Sequence, residues 1–407
     1  MLHRSAHWLV IAALGCASTT HPRPADPGAA DRIADLDWLL ATLERDDVYL
    51  EDFDRRAIRA FYEPRARDAR TRDAWIGVLE DVIGELHDHH VSLGTNTGAS
   101  PRLVPSGADL WGEVVGDRAV ITAVRRGTAA ERAGVRVGMF VVAIGGQSIE
   151  AALAARRPSV TGRSDPAAAS WAFRVLLAGT HDRRRQLTAC TAVGACADYA
   201  LDAPELADAP APVTARLVGD IGHVRIENSL GNPDTIPAFD AALDELASAR
   251  ALILDLRNTP SGGSTDVAEP ILGRFIATAA DYQRVFVPGR DEAPWNKQLV
   301  PRAPHEARPL VVLVDRWTGS MGEGMAVGLD ALGRAVVVGT PMAELRGGIT
   351  SVTLPRTKID VRFQNERLFH VDGTPRERWI PPIVVEPQGG EAMDPILERG
   401  IRELTGR

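Results

Sequence analysis

The sequence predicts an α/β protein in which a small helical cap and a β-rich middle segment precede a larger core of alternating strands and helices. Three patterns predict it. Residues 221–226, 251–256, 310–314 and 335–339 are short apolar runs separated by helix-like stretches, as in a largely parallel sheet. Residues 31–45 place Ile33, Leu36, Leu39, Leu40 and Leu43 at helical spacing, and residues 71–86 do the same with Trp75, Val78, Leu79, Val82 and Leu86. From about residue 102 to 155 the texture changes to short strands broken by glycine turns. A chain of 407 residues, 45% of them hydrophobic, can bury a sizeable core and fits about two to three domains.

Residues 1–30 read as an export leader and a tether. Arg4 precedes a short apolar run, residues 8–14, and then Gly15 and Cys16. The run is too short to stay in a bilayer as a spanning helix. Cys16 looks like the lipidated cysteine of a bacterial lipoprotein, with Ala13 where leucine is usual, and simple secretion is the other outcome of such a leader. The expected location is a bacterial periplasm or cell envelope, at a membrane surface if Cys16 is lipidated, and otherwise outside the cell. Residues 21–30, rich in Pro and Ala, supply the tether.

The cap is expected over 31–100 and the β-rich domain over 101–160. In 161–212 a helix and two short alternating segments lead to a Pro/Ala-rich linker at 203–212. Cys190 and Cys196 flank a turn containing Gly194. If Thr191 and Ala195 close a three-residue loop, the cysteines face each other one step further out. They pair in an oxidising compartment or remain two buried thiols. Residues 213–407 form the α/β core, closed by a helix with Asp394 as N-cap and Pro395 at its first position.

The chemistry centres on TGSMGEG, residues 318–324, which sets Ser320 between an apolar strand and a helix-like segment. Upstream, the strand ALILDL ends at Leu256 and turns through Arg257, Asn258, Thr259, Pro260 and Ser261 to Gly262 and Gly263. Paired glycines after a strand leave N–H groups free to face a ligand oxygen. Ser320 attacking a carbonyl, with the amides of Gly262, Gly263 and Met321 holding the oxyanion, is serine hydrolase chemistry. Each motif alone is ordinary turn material; the two in this order carry the reading.

These flanks resemble the tail-specific, or C-terminal processing, peptidases and their tricorn core protease relatives. The shared text is "DLRxN…GG" followed by "VLVD…TGSMGE", and the similarity extends over roughly residues 33–404. It implies a ClpP/crotonase-like α/β peptidase core, a PDZ-like domain in 101–160, and a polypeptide substrate cut in unstructured or C-terminal segments. The PDZ-like resemblance rests on the small residues 128–130, on Ala133-Gly134-Val135 and on Ile144-Gly145-Gly146, with Gly138-Met139 in place of the usual Gly-Asp. Such modules bind extended peptides by adding a strand to a sheet edge.

A serine needs a base, and these peptidases use either lysine or histidine. The lysine of a "TxGK" turn is absent: the region reads GTPMAELRGG, with Leu345 and Arg346 at the candidate positions and Lys358 outside the turn. Arginine keeps its proton and cannot act as a base. The tricorn-like "LxDxH" motif is matched by Leu86, Asp88 and His90, so the resemblance makes His90 the general base and acid. It also makes Glu377 an orienting or amine-binding carboxylate, although Arg378 and Pro382 replace the glycine and aspartate expected around it.

His87, His89 and His90 with Asp88 invite a zinc reading, but adjacent residues rarely converge on one ion and no HExxH or CxxC signature accompanies them. A solvated polar helix end is the bland alternative. No cofactor is expected. Glu323 reads as a charge favourable to a helix N-terminus, and His223 as strand packing. The net charge of −8 argues against nucleic acid as a partner. Two rival functions stand beside the peptidase: a peptide- or ligand-binding protein that has lost turnover on the same fold, and acyl-CoA chemistry on a related one, for which no adenine or phosphate pocket is legible.

Overall fold

The computed structural model describes residues 26–50, 53–161, 165–204, 206, 209 and 211–406; Cys16 and its leader lie outside the described residues. The cap is built from α1 (Ala29–Asp46), α2 (Arg55–Asp68) and α3 (Arg72–Gly84), followed by the short strand β1 (Ser92–Leu93). Leu36, Leu39, Leu40, Leu43, Trp75, Leu79 and Val82 are fully buried, as their helical spacing predicts. Thr71 caps α3 by accepting a hydrogen bond from the Ala74 N–H at 3.1 Å. The cap is not self-contained, because its core continues into Leu354, Ile359, Val361 and Phe363 from the far end of the chain. Asp35 ties that region down, accepting from the N–H groups of Arg356 and Thr357 at 2.9 and 2.7 Å. No described helix is long and apolar enough to cross a membrane.

The middle module holds β2 (Leu110–Val115), β3 (Arg118–Val124), α4 (Ala129–Arg132), β4 (Phe140–Ile144), β5 (Gln147–Ser148), α5 (Ile149–Arg156), α6 (Pro166–Ala178), β6 (Arg185–Cys190) and β7 (Cys196–Leu201). Its sheet runs β2-β3-β4-β6-β7, with β5 on β4. A boundary at residue 160 therefore corrects to one beyond β7, since β4 pairs with β6 through Phe140 opposite Cys190 and Val141 opposite Ala189. Cys190 and Cys196 lie directly opposite each other and are joined as a disulfide.

Strand β2 is an edge, but not an open one. The Val114 N–H donates to Ser170 Oγ at 3.0 Å, and the Gly112 carbonyl accepts from Arg174 Nε at 3.1 Å, both side chains coming from α6. Gly112 allows this approach, because a Cβ there would stand 2.3 Å from the ring of Phe173. The edge at which a peptide strand would add is thus covered by the chain's own helix.

The core contains β8 (Val213–Val218), β9 (Ile221–Ile226), α7 (Thr235–Glu245), β10 (Ala251–Asp255), α8 (Thr265–Leu272), β11 (Ala280–Phe286), β12 (Trp295–Leu299), β13 (Leu310–Val314), α9 (Met321–Ala331), β14 (Val336–Gly339), β15 (Gly348–Thr353), β16 (Asp360–Phe369), β17 (Ile383–Val384) and α10 (Pro395–Thr405). The central sheet has the order β17-β14-β13-β10-β9-β8, parallel throughout except for β8. Every residue of β10 and β13 is buried, as expected of parallel strands covered on both faces. Helices α7, α8 and α9 cover one face, and α10 packs on Ile253, Val311, Leu313 and Val338 of the other. A second sheet, β1-β16-β11-β12 with β15 on β16, joins the cap to the core. Both chemistry-bearing loops leave the same, C-terminal end of neighbouring parallel strands, β10 and β13.

Candidate active site

The turn after β13 is fixed before it reaches Ser320. Asp315 Oδ1 accepts from the Trp317 N–H at 2.8 Å, and the Thr318 hydroxyl donates to the Leu256 carbonyl at 3.1 Å. The Gly319 N–H donates to the Thr259 carbonyl at 3.2 Å, which staples this turn to the glycine turn after β10. The module clamps both: the Trp317 indole N–H donates to the Ala108 carbonyl at 2.7 Å, and Arg125 reaches Asn258 Oδ1 at 2.5 Å. Ser320 itself has φ 50°, a left-handed conformation that costs a non-glycine residue about 1–3 kcal/mol and recurs where a nucleophile is thrust out of a strand-to-helix turn.

Gly262 lies against it. With φ +63°, a Cβ at this position would stand 2.4 Å from Ser320 Cβ, so only glycine lets the two turns meet. The structure corrects one role here. The Gly262 N–H donates to the Thr259 carbonyl at 3.0 Å and is not free for an oxyanion. The amides of Gly263 and Met321 make no hydrogen bond among the described residues, and Met321 opens α9, where the helix dipole favours negative charge.

His90 reaches Ser320 from the cap across 230 residues. Its Nε2 lies 3.1 Å from Ser320 Oγ, and its Nδ1 lies 2.7 Å from the Arg346 carbonyl oxygen. A carbonyl can only accept, so Nδ1 carries the hydrogen and the Nε2 lone pair faces the serine hydroxyl. The main chain of His90 is held by its own N–H donating to Asp88 Oδ1 at 2.7 Å. Burial, with the charge of Arg376 adding to it, lowers the His90 pKa to about 4, and the Arg346 carbonyl partly opposes this.

Residues 220–385 match peptidase family S41. With that match the chain is a serine-type peptidase. No curated protein sequence matches the chain. Among solved structures, mature CPAF complexed with lactacystin is similar at a TM-score of 0.59 and 15% identity, over 93% of this chain and 97% of that one. The photosystem II D1 C-terminal processing protease is similar at 0.57 and 19%, over 93% and 98%. A putative peptidase from Parabacteroides merdae is similar at 0.53 and 15%, over 94% and 97%. These likenesses are ones of fold.

Beyond the Ser320 and His90 pair, the structure places the remaining candidates unequally. Glu377 does not meet His90: the position at Nδ1, where an orienting carboxylate was expected, belongs to the Arg346 carbonyl. Glu377 lines a cavity of about 620 Å3 with Asp88, His89, Trp171, Arg174 and Arg346. Its Oε2 is buried there without a hydrogen bond among the described residues. Burial raises the Asp88 pKa to about 6, with the Arg346 guanidinium, 3.5 Å from its carboxylate, acting the other way. Arg346 therefore serves the site by its main chain, while its side chain turns to Asp88.

The three clustered histidines diverge. His87 Nε2 lies 3.2 Å from Asp165, and His89 sits between the rings of Trp111 and Trp171. No group of three metal-ligating side chains gathers among the described residues. His223 packs inside the core, its Nε2 3.1 Å from Asp255 Oδ2.

Glu323 lies in the first turn of α9, as its sequence reading has it, and reaches back to the N-cap as in a capping box, but its contacts go further. It is fully buried, its Oε2 accepts from the Ser320 N–H at 2.7 Å, and its Oε1 accepts from the Leu345 N–H at 3.3 Å. Arg376 braces the same segment from the other side, donating to the carbonyls of Leu345 and Gly347 at 3.0 and 2.6 Å. Sequence reasoning found Glu323 and Arg346 only as a helix charge and a missing lysine, the first inside TGSMGEG and the second inside GTPMAELRGG.

Proposed function

We propose that this protein is an exported serine endopeptidase that cleaves peptide bonds in unstructured or C-terminal polypeptide segments through a Ser320/His90 site. The observation that carries the reading is His90, with its tautomer set by the Arg346 carbonyl and its free nitrogen 3.1 Å from Ser320 Oγ. Ser320 Oγ attacks the scissile carbonyl carbon as its proton passes to His90 Nε2, and the amides of Gly263 and Met321 face the oxyanion. The tetrahedral intermediate collapses, the C–N bond breaks, and His90 returns the proton to the leaving amine. Water then repeats the sequence on the acyl-enzyme and frees Ser320. Glu377, which lines a neighbouring cavity, is read as the carboxylate that meets a cationic amine of the substrate.

Export rests on the leader: Arg4, the apolar run at 8–14 and Cys16, whose lipidation would hold the enzyme at a membrane surface of the periplasm or cell envelope. The module of residues 110–201 is read as PDZ-like, with its β2 edge in a covered state. Incubating an unstructured polypeptide with the wild type and with Ser320→Ala, and weighing the products, tests the function. Fragments from the first alone support it. Intact substrate with both would point to a binding protein.

A further inference from the structure

We propose that Glu323 is a positioning residue that locks nucleophile and base into one geometry, holding the Ser320 turn with one carboxylate oxygen and, with the other, the segment whose Arg346 carbonyl orients His90. The inference rests on the Ser320/His90 reading and goes beyond it, because the Glu323 carboxyl bonds main-chain amides and not the reacting atoms. Its two partners belong to the two segments that carry the nucleophile and the His90 acceptor. The Ser320 N–H belongs to the residue in the left-handed conformation, and the Leu345 N–H lies one residue before the carbonyl that sets His90.

Capping of α9 explains only the first of these bonds, since Glu323 is the third residue of the helix and its side chain reaches back to the Ser320 N–H. Favourable interaction with the helix dipole is available to an exposed glutamate, yet this one is fully buried, where an anion loses its hydration. Local capping would need only the amides of its own turn, whereas Leu345 stands 22 residues away in sequence. With Arg376 holding the flanking carbonyls of Leu345 and Gly347, the peptide carrying the Arg346 carbonyl is fixed from both sides. Glu323 thus transmits the position of the Ser320 turn to the imidazole by two hydrogen bonds and one stretch of main chain.

The test compares wild type, Glu323→Ala, Glu323→Gln and Ser320→Ala by fluorophosphonate labelling rate, by kcat and KM on an unstructured polypeptide across pH, and by thermal unfolding. Glutamine keeps an oxygen for one amide and sets an NH2 group against the other. Folded Glu323→Ala is expected to lose about 10²-fold in kcat with KM little changed, as misplacement of reacting groups does. Its acid limb should move to lower pH, because the Arg346 carbonyl supports the protonated imidazole. Glu323→Gln should fall between alanine and wild type, and it decides by the same readouts if the alanine variant does not fold. Wild-type labelling and turnover in the variants, or a loss of kcat with the acid limb unmoved, overturns the inference alone. A wild type that neither labels nor cleaves overturns the underlying function as well.

Discussion

The imidazole of His90 hangs from the main chain of Arg346, its Nδ1 2.7 Å from that residue's carbonyl oxygen. A peptide carbonyl orients the ring as a carboxylate would, but offers the imidazolium a dipole instead of a full negative charge. Burial and the nearby Arg376 guanidinium also disfavour the cation, so the neutral imidazole of His90 is favoured over a wide pH range.

The pH profile of kcat/KM should show this directly. A free histidine has a pKa of 6.5, and His90 is lowered to about 4, so the acid limb belongs near 4. An acid limb near 6.5 would contradict the description of the base. His90→Gln should cost about 10²- to 10⁴-fold in kcat, the usual worth of a general base.

Stability should run the other way with pH. Burial raises Asp88 and Asp315 to about 6, Asp47 to about 7 and Glu323 to about 8. A carboxyl raised in the folded state binds its proton more tightly there than in the unfolded chain. Its contribution is therefore complete below the ordinary carboxylate range and is lost as pH rises through 6 to 8. Thermal unfolding should show Tm falling across that window; a flat or rising Tm would refute it.

Gly262→Ala should separate close approach from backbone cost. A left-handed residue costs about 1–2 kcal/mol once it carries a Cβ, and here that Cβ would also meet Ser320 at 2.4 Å. Gly145→Ala is the control, with φ +59° and nothing within 4 Å of the added Cβ. Both variants should lose similar backbone stability in urea unfolding, and only Gly262→Ala should lose fluorophosphonate labelling.

The covered β2 edge makes a prediction of its own. The Val114 amide, bonded to Ser170 Oγ, should exchange slowly with deuterium in the wild type and faster in Ser170→Ala. An extended peptide should protect Val114 only in the Ser170→Ala/Arg174→Ala double variant, where the outward N–H and carbonyl are released. Protection of the wild type by peptide would show that α6 yields the edge readily.

Much of this architecture is written in local pattern. The all-apolar runs of β10 and β13, the leucine spacing of α1 and the Asp394-Pro395 start of α10 each specify their element within a few residues. Helix α2 is hidden because its buried stripe is only Ile58, Tyr62 and Ala66 among many arginines, with Pro64 inside it. The sharing of β16 with the cap is equally invisible, since nothing local in Val361 or Phe363 says that their partners lie in α1 and α3. At the site, Ser320, His90 and the glycine turn carry motif signals. The Arg346 carbonyl carries none, because any residue supplies a carbonyl and only the path of the chain aims it. Glu323 was visible as a residue and not as a role, for burial and a partner at Leu345 are tertiary facts.

Intact mass after fluorophosphonate treatment tests the central claim most directly, on wild type and Ser320→Ala that unfold at the same temperature. One adduct is expected on the wild type and none on the variant, because only a serine with a neutral base at Nε2 and a formed oxyanion site reacts. An adduct on neither chain, or an equal adduct on both, would contradict it.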